Sequence, residues 1–221
     1  MLLLLSSAGL ALAACQTKPV KPGGRQPSVS VAVPLKADVW RAVASEADRD
    51  RLDRLGLAWS EALAEANRSN PADVRREGML LRPRGGLDQP DPTPGSYNCR
   101  LIELGRGSGK ARGPAFTAYK PFFCYVELDD GQLTFVKQTG SQRPSGRLWD
   151  DDDSKRMIFL GSIAMTPKDK ALAYGDDARR DMAATFERVG PFRWRLVVPW
   201  PRDNSAKLGV YELTPVADQP E

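Results

Sequence analysis

Histidine is absent from all 221 residues. Ser-His-Asp and Cys-His nucleophile systems are therefore excluded as written, and so is every histidine-ligated zinc, copper or haem site. Cysteine is scarce, confined to Cys15, Cys99 and Cys124, and none of the three has the close partner that a metal knuckle or redox motif needs. An excess of one charge sign is missing too. Lys and Arg number 32 against 28 Asp and Glu, for a formal charge of +4, and the two signs are interspersed. That excludes the basic stripe of a nucleic-acid binder and leaves at most a weak pull toward anionic lipid or polysaccharide. No Ser is followed three residues later by Lys, so the Ser-Lys substitute for a histidine base is missing as well. Hydrophobic residues make up 41% of the chain, enough for a core, and global disorder is excluded.

Long apolar runs are lacking. Leu2 to Leu5 and Gly9 to Leu12 give a stretch of about eleven residues, against the roughly twenty that a membrane-spanning helix requires. Directly after it, Leu12-Ala13-Ala14-Cys15 resembles the lipobox of bacterial lipoproteins at all four positions. The resemblance implies a cleaved signal over residues 1–14 and a diacylglyceryl group on the Cys15 thiol. Acyl chains on that residue would anchor the protein to a membrane with no further contact. No Lys or Arg precedes the apolar run, although export signals ordinarily start with positive charge; translation is expected to begin a few codons upstream of Met1. The same resemblance implies, from Gln16 rather than Asp after the cysteine, forwarding to the periplasmic face of the outer membrane. Residues 15–35 hold Pro19, Pro22, Gly23-Gly24, Pro27 and Pro34 and read as a flexible tether.

An exported address bears on the two remaining cysteines. An even pair in an oxidising compartment reads as one disulfide, Cys99 to Cys124, and closing a loop of that length stabilises by roughly 3 kcal/mol.

Residues 36–94 read as a helical segment with a Pro/Gly-rich linker. From Ser45 to about Asn67, Leu52, Leu55, Trp59, Leu63 and Ala66 recur at helical spacing on one face. Ser45 with Asp48 resembles a capping box, Trp40 and Val43 pack back on this helix, and Asn70-Pro71 starts a second, short one. Pro83, Gly85-Gly86, Pro90, Pro92 and Pro94 mark a linker or wrapped loop.

Beyond Gly95 the period changes to two. Segments near 96–104, 121–128, 132–139, 146–149, 156–164, 181–189, 192–198 and 207–214 read as strands. Asp130-Gly131 is a two-residue hairpin turn whose positions both want positive φ. Phe122, Cys124, Val126 and Leu128 share one face. Phe192, Trp194, Leu196 and Val198 share another, with Arg193 and Arg195 directed to solvent. The fold class is therefore α+β, mainly β: a helical segment followed, over residues 95–216, by an antiparallel meander of about eight strands. A small closed barrel of lipocalin or inhibitor type is expected, since closure removes exposed edges, with a β-sandwich as the alternative. Residues 217–221 form a tail.

Candidate chemistry is thin. Gly105-Arg106-Gly107-Ser108-Gly109-Lys110-Ala111 fails the nucleotide-binding loop twice, with Leu104 where the first glycine belongs and Ala111 in place of the magnesium-binding hydroxyl. Asp150 to Asp153 lack the spacing of a calcium loop and read as a solvated hairpin tip. Ser141, Gln142 and Arg143 lie in a dense polar segment able to bind a polar or anionic ligand at a barrel mouth; the same residues also suit a structured turn, Arg143 satisfying carbonyls. No cofactor and no metal are expected.

Trp40-Arg41, Leu52-Asp53-Arg54-Leu55 with Ala58-Trp59, and Pro94-Gly95-Ser96-Tyr97-Asn98-Cys99-Arg100 carry a resemblance. It continues through Thr139-Gly140-Ser141-Gln142-Arg143, Phe159-Leu160-Gly161 and Phe192-Arg193-Trp194-Arg195-Leu196. On these motifs the chain resembles a domain-of-unknown-function family of exported alphaproteobacterial proteins, which implies no assigned activity, cofactor or catalytic residue. Tyr97-Asn98-Cys99 is also similar to the opening of periplasmic inhibitor lipoproteins, small one-disulfide barrels that act through exposed loops; the likeness is architectural.

The sequence thus points to a non-enzymatic binding or inhibitor module displayed on the cell envelope through lipidated Cys15. Its partner would be an envelope or foreign protein, or a polar ligand, met through loops such as Arg106–Gly113 and Gly140–Arg143; nucleic acid is excluded. A structural envelope protein that assembles through its helix is the alternative, and a carboxylate-dependent hydrolase is the third. A hollow barrel would favour small-ligand binding and a filled one inhibition, and a helix packed wholly on the barrel would remove the motive for assembly.

Overall fold

The computed structural model of the protein describes residues 35–108 and 113–217. Cys15, the tether and residues 109–112 of the basic loop lie outside the described residues.

Nine strands follow the helices: β1 (Gly95–Arg106), β2 (Phe116–Ala118), β3 (Phe122–Asp129), β4 (Gln132–Val136), β5 (Arg143–Asp150), β6 (Met157–Ala164), β7 (Asp181–Gly190), β8 (Arg193–Pro199) and β9 (Ala206–Pro215). From β3 onward each pairs antiparallel with the next, and β9 pairs back on β1 from Tyr97↔Pro215 to Arg106↔Ala206. The meander therefore closes into an eight-stranded barrel, and the sandwich does not form. The other edge of β1 is shared, with Gly95–Cys99 paired to β3 and Ile102–Leu104 to β2. β2 was not expected, because three residues beside Pro114 and Pro121 carry no readable alternation. The β3–β4 turn takes the expected form, with φ of +49° at Asp130 and +78° at Gly131.

Cys99 and Cys124 are joined by a disulfide that ties β1 to β3 inside the wall, two residues out of register from the Tyr97↔Cys124 pair. Around it the interior is packed with Tyr97, Val126, Phe135, Phe159, Phe186, Trp194 and Leu213. Phe135 meets Phe159 edge to face at 6.0 Å, and Tyr97 meets Trp194 at 5.9 Å, geometries that suit aromatic quadrupoles. The Pro-rich linker closes this end: Trp194 Nε1 donates to the Pro90 carbonyl at 2.9 Å, and the Tyr97 hydroxyl donates to that of Thr93. Gly146 and Gly161 face each other across β5 and β6, so close that a Cβ on Gly161 would lie 2.2 Å from the Ser145 carbonyl oxygen; only glycine fits that approach.

Four helices cover part of the outer wall: α1 (Lys36–Val43), α2 (Glu46–Asp53), α3 (Leu55–Ser69) and α4 (Pro71–Glu77), followed by a 3₁₀ turn at Gly78–Leu81. The single helix expected from Ser45 to Asn67 is two. Arg54 leaves helical geometry at φ −93°, ψ 13°, which lets the two pieces serve different parts of a curved surface. Leu52 joins Trp40 against Ile158, Leu160 and Ala183 on β6 and β7, whereas Trp59, Ala62 and Ala66 pack on Ile102, Leu104, Leu208 and Val210 of β1 and β9. Ser45 caps α2, its hydroxyl accepting from the Asp48 amide.

Under this layer one sequence expectation fails and another is incomplete. Arg195 does not face solvent; it is fully buried, its guanidinium donating to the Leu80 and Arg82 carbonyls at 2.8 and 2.9 Å and to Glu187 at 2.6 Å. Arg193 is half-buried against Glu212. The acidic run is the expected hairpin tip, with Asp150, Asp152 and Asp153 exposed, but Asp151 is buried and the run has partners. Asp150 pairs with Lys36 Nζ, Asp151 accepts from Trp40 Nε1 and Arg156, and Asp152 accepts from the Lys36 amide. The run docks α1 onto the barrel. At two other positions the inward face ends early, leaving Leu128 and Phe192 exposed at strand tips.

Candidate site at the barrel mouth

The end of the barrel opposite the linker is not filled. Here the inward positions are Leu101 on β1, Ile163 on β6, Met182 on β7, Val198 on β8, and Gly209 and Tyr211 on β9, and they form the floor of a cavity of about 310 Å³ that opens at the mouth. Space exists because Gly209 brings no side chain; a Cβ built there touches Leu101, Pro201 and Val198 only at ordinary van der Waals distance. The volume sits at the small end of the range for specific ligand pockets.

The rim is polar, and its cations are already engaged. Arg180 donates to the Ile163 and Lys170 carbonyls at 3.0 and 2.8 Å. Arg202 donates to the Asp181 carbonyl at 2.9 Å and to the Asp48 carboxylate at 3.0 Å. Arg179 pairs with Asp177 at 3.2 Å. Glu103 accepts from the Ser205 hydroxyl at 2.6 Å and from the Tyr119 hydroxyl at 2.8 Å. Burial, reinforced by that bond to Glu103, pushes the Tyr119 phenol up to about 12.

Tyr211 differs from its neighbours. It is 5% exposed, its ring packs at 6.4 Å from Phe122 and 6.3 Å from Phe135, and its hydroxyl has no hydrogen-bond partner among the described residues. Burial raises its pKa well above the ordinary tyrosine range, and the Asp203 and Glu103 carboxylates push the same way. The phenol is therefore a protonated donor at every physiological pH. The hydroxyl is not among the fully buried polar atoms that lack a partner, so it opens into the cavity, where solvent or a ligand can meet it.

Asp48 fixes the rim to the helical layer. Its buried carboxylate accepts from Arg202, Arg51 and the Ser45 and Tyr174 hydroxyls. Burial alone would raise its pKa, but the bonds from Tyr174, Arg51 and Ser45 outweigh that and hold it below the usual value. A depressed carboxylate stabilises the fold above the unfolded-chain pKa of about 4, and that contribution disappears as pH falls through the lower folded value. Asp181 runs the other way, its pKa raised by burial against the bond from the Gly175 amide. Asp48→Asn is accordingly expected to flatten the acid limb of a plot of unfolding free energy against pH below about 4; an unchanged slope in urea titrations at several pH values would refute this role.

Of the three residues singled out in the sequence, Gln142 alone reaches the cavity. Arg143 donates to the Gly140, Thr166 and Asp169 carbonyls at 2.7, 2.9 and 2.7 Å, the structured-turn alternative. The Ser141 carbonyl accepts from Lys137 Nζ at 3.1 Å, and Ser141 itself is exposed away from the floor. Tyr211 and Gly209 were not singled out. Their only signal was the period-two pattern Gly209, Tyr211, Leu213, which gives a shared face but not a gap. Among the described residues no group of three metal-ligating side chains occurs, and no helix is long and apolar enough to cross a membrane.

A family model described as a domain of unknown function, DUF4893, matches residues 40–213, from Trp40 of α1 into β9. The chain belongs to this family. The DUF4893 span takes in the helical layer together with the barrel, in keeping with the two packed clusters between them. No curated protein and no solved structure matches the chain.

Proposed function

We propose that this protein is a non-enzymatic binding module, held at the cell envelope by lipidated Cys15, that takes a small apolar ligand in the mouth of its barrel. The observation that carries the reading is the cavity of about 310 Å³ with its apolar floor and the unpartnered Tyr211 hydroxyl. Preformed concave sites with few, convergent polar groups are where small molecules bind. Binding is favoured over hydrolysis because the carboxylates that line the mouth, Glu103, Asp177, Asp181 and Asp203, each accept from a protein donor. The assembly alternative is weakened, since Trp40, Leu52, Trp59, Ala62 and Ala66 are spent on the barrel wall and Val39, Val43 and Leu57 are the large apolar side chains these helices leave exposed among the described residues.

The test is fluorescence titration with the neutral apolar dye N-phenyl-1-naphthylamine. The full chain is expected to take up the dye. Gly209→Leu, which projects a side chain into the cavity from a strand position that has room for it, is expected to abolish uptake with the thermal melt unchanged. Uptake indifferent to Gly209→Leu would refute the site. For the address, Cys15→Ser is expected to move the protein from the membrane to the soluble fraction, and a wild type that already fractionates as soluble would refute it.

A further inference from the structure

We infer that the barrel mouth takes a small zwitterion with an apolar body, the class of the free apolar α-amino acids, its carboxylate on Arg180 and its ammonium on Glu103. The inference rests on the binding reading above and adds the chemical class of the head group.

Two opposite charges rise from the floor on different strands. Glu103 stands two residues beyond Leu101 on β1, and Arg180 two residues before Met182 at the start of β7, so alternation puts both on the inward face with those floor residues. Around the wall β7 is followed by β8, β9 and then β1, at about 4.8 Å from each strand to the next. The cation and the anion therefore stand on different sides of the opening. Neither has a counter-ion among the described residues. The Arg180 guanidinium donates only to the Ile163 and Lys170 carbonyls, at 3.0 and 2.8 Å. Glu103 accepts only from the Ser205 and Tyr119 hydroxyls, at 2.6 and 2.8 Å. Bonds to neutral groups do not cancel either charge, and they leave the guanidinium with free N–H donors and the carboxylate with free lone pairs.

The other charges of the mouth keep this polarity. Arg51 and Arg202 share one carboxylate, Asp48, and Arg179 is paired with Asp177. Asp181 alternates to the other face of β7 from Met182 and accepts from the Gly175 amide at 2.9 Å. Asp203 stands with Glu103, since Ser205 donates its amide to the first at 3.1 Å and its hydroxyl to the second. A lone carboxylate in the cavity would be drawn to Arg180 and repelled by Glu103 and Asp203, and a lone ammonium the reverse. A neutral head would answer neither charge. A head that carries both signs meets Arg180 with its carboxylate, in the charge-assisted bonds that a guanidinium favours, and Glu103 with its ammonium. The rest of the ligand faces Leu101, Ile163, Met182 and Val198, which offer only van der Waals contact, so it is apolar. A cavity of about 310 Å³ keeps the whole molecule small.

The experiment displaces N-phenyl-1-naphthylamine from the full chain at about pH 7.5, where an amino acid is a zwitterion, with three probes that share a phenyl body. These are L-phenylalanine, 3-phenylpropanoate, which lacks the ammonium, and 2-phenylethylammonium, which lacks the carboxylate. L-phenylalanine is expected to displace best, with each of the others about tenfold weaker or worse. Glu103→Gln keeps an oxygen for the hydroxyls and removes the charge. It should weaken L-phenylalanine and 2-phenylethylammonium by about tenfold and 3-phenylpropanoate not at all. Arg180→Gln should weaken L-phenylalanine and 3-phenylpropanoate and spare 2-phenylethylammonium. Dye affinity, expected to be unchanged in both variants, reports that the barrel is folded, and the wild-type ranking decides the question even where a variant fails to take the dye. Either single-charge probe displacing as well as L-phenylalanine would overturn the head-group class and leave the cavity reading standing. So would dye uptake that L-phenylalanine does not displace. Absence of any dye uptake by the wild type would instead overturn the binding reading itself.

Discussion

Arg195→Ala is expected to cost about 3–5 kcal/mol of folding stability, the range for breaking a buried ion pair from one side. Arg195 is 0% exposed. Its guanidinium lies 5.0 Å over the Trp59 ring and bridges β8 to the 3₁₀ turn through the Leu80 and Arg82 carbonyls, with Glu187 on β7 as its counter-ion. Truncation strands the Glu187 carboxylate under the helical layer and leaves carbonyls without donors, and both penalties fall on the folded state alone. Urea denaturation read by linear extrapolation measures the loss. A loss below about 1 kcal/mol would mean that the residue is a solvated surface arginine, of the kind whose ion pairs are worth little. Arg195→Lys should recover only part, because a single ammonium cannot hold the fork of contacts that a planar guanidinium makes.

Trp40→Ala is the second large effect, at about 3–5 kcal/mol for a buried tryptophan, with a different signature. Trp40 is 1% exposed, packs against Ile158, Leu160 and Ala183, and donates through Nε1 to Asp151 at 3.0 Å. The helix that carries it has eight residues, too few to persist without tertiary contact. Its loss should therefore appear first as release of α1, seen as rapid proteolysis near residues 35–45 and lost helical dichroism, while the disulfide-tied barrel stays folded. Trp40→Phe keeps most of the packing and should cost only about 1–2 kcal/mol, mainly for the missing bond to Asp151. If both variants melt with the wild type, α1 is not part of the cooperative unit.

Both results bear on one structural fact, that this barrel has two cores. The inner one is the cluster around Phe135, Phe159 and Trp194, and the outer one lies between the wall and the helices. The strands under the helices are buried on both faces. Met157-Ile158-Phe159-Leu160 and Leu196-Val197-Val198 accordingly read as unbroken apolar runs, where β3 alternates. That contrast is the sequence trace of the covered sector. It was legible as β-structure but not as a covering layer, since a short apolar run does not say what lies on either side of it.

Local physics was readable along the chain. Strand positions from Gly95 onward followed from period-two alternation, the Asp130-Gly131 turn from the need for positive φ, the α2 start from the Ser45 cap, and the meander's closure from the cost of open edges. The pairing of Cys99 with Cys124 followed from their even number once Cys15 was set apart, together with the expectation of an oxidising compartment. Three things were decided only by the tertiary structure. Alternation assigns Arg195 to the outer face, but outside the barrel is not outside the protein, and the layer from Trp40 to Leu81 turned that position from solvated to buried. The acidic run Asp150 to Asp153 became the dock for α1 because Lys36 and Trp40 arrive there from more than a hundred residues away. The mouth cavity exists because Gly209 leaves room beside Leu101, Val198 and Tyr211, residues of three strands. A gap is a property of what surrounds it, so no single stretch of sequence carries its signature.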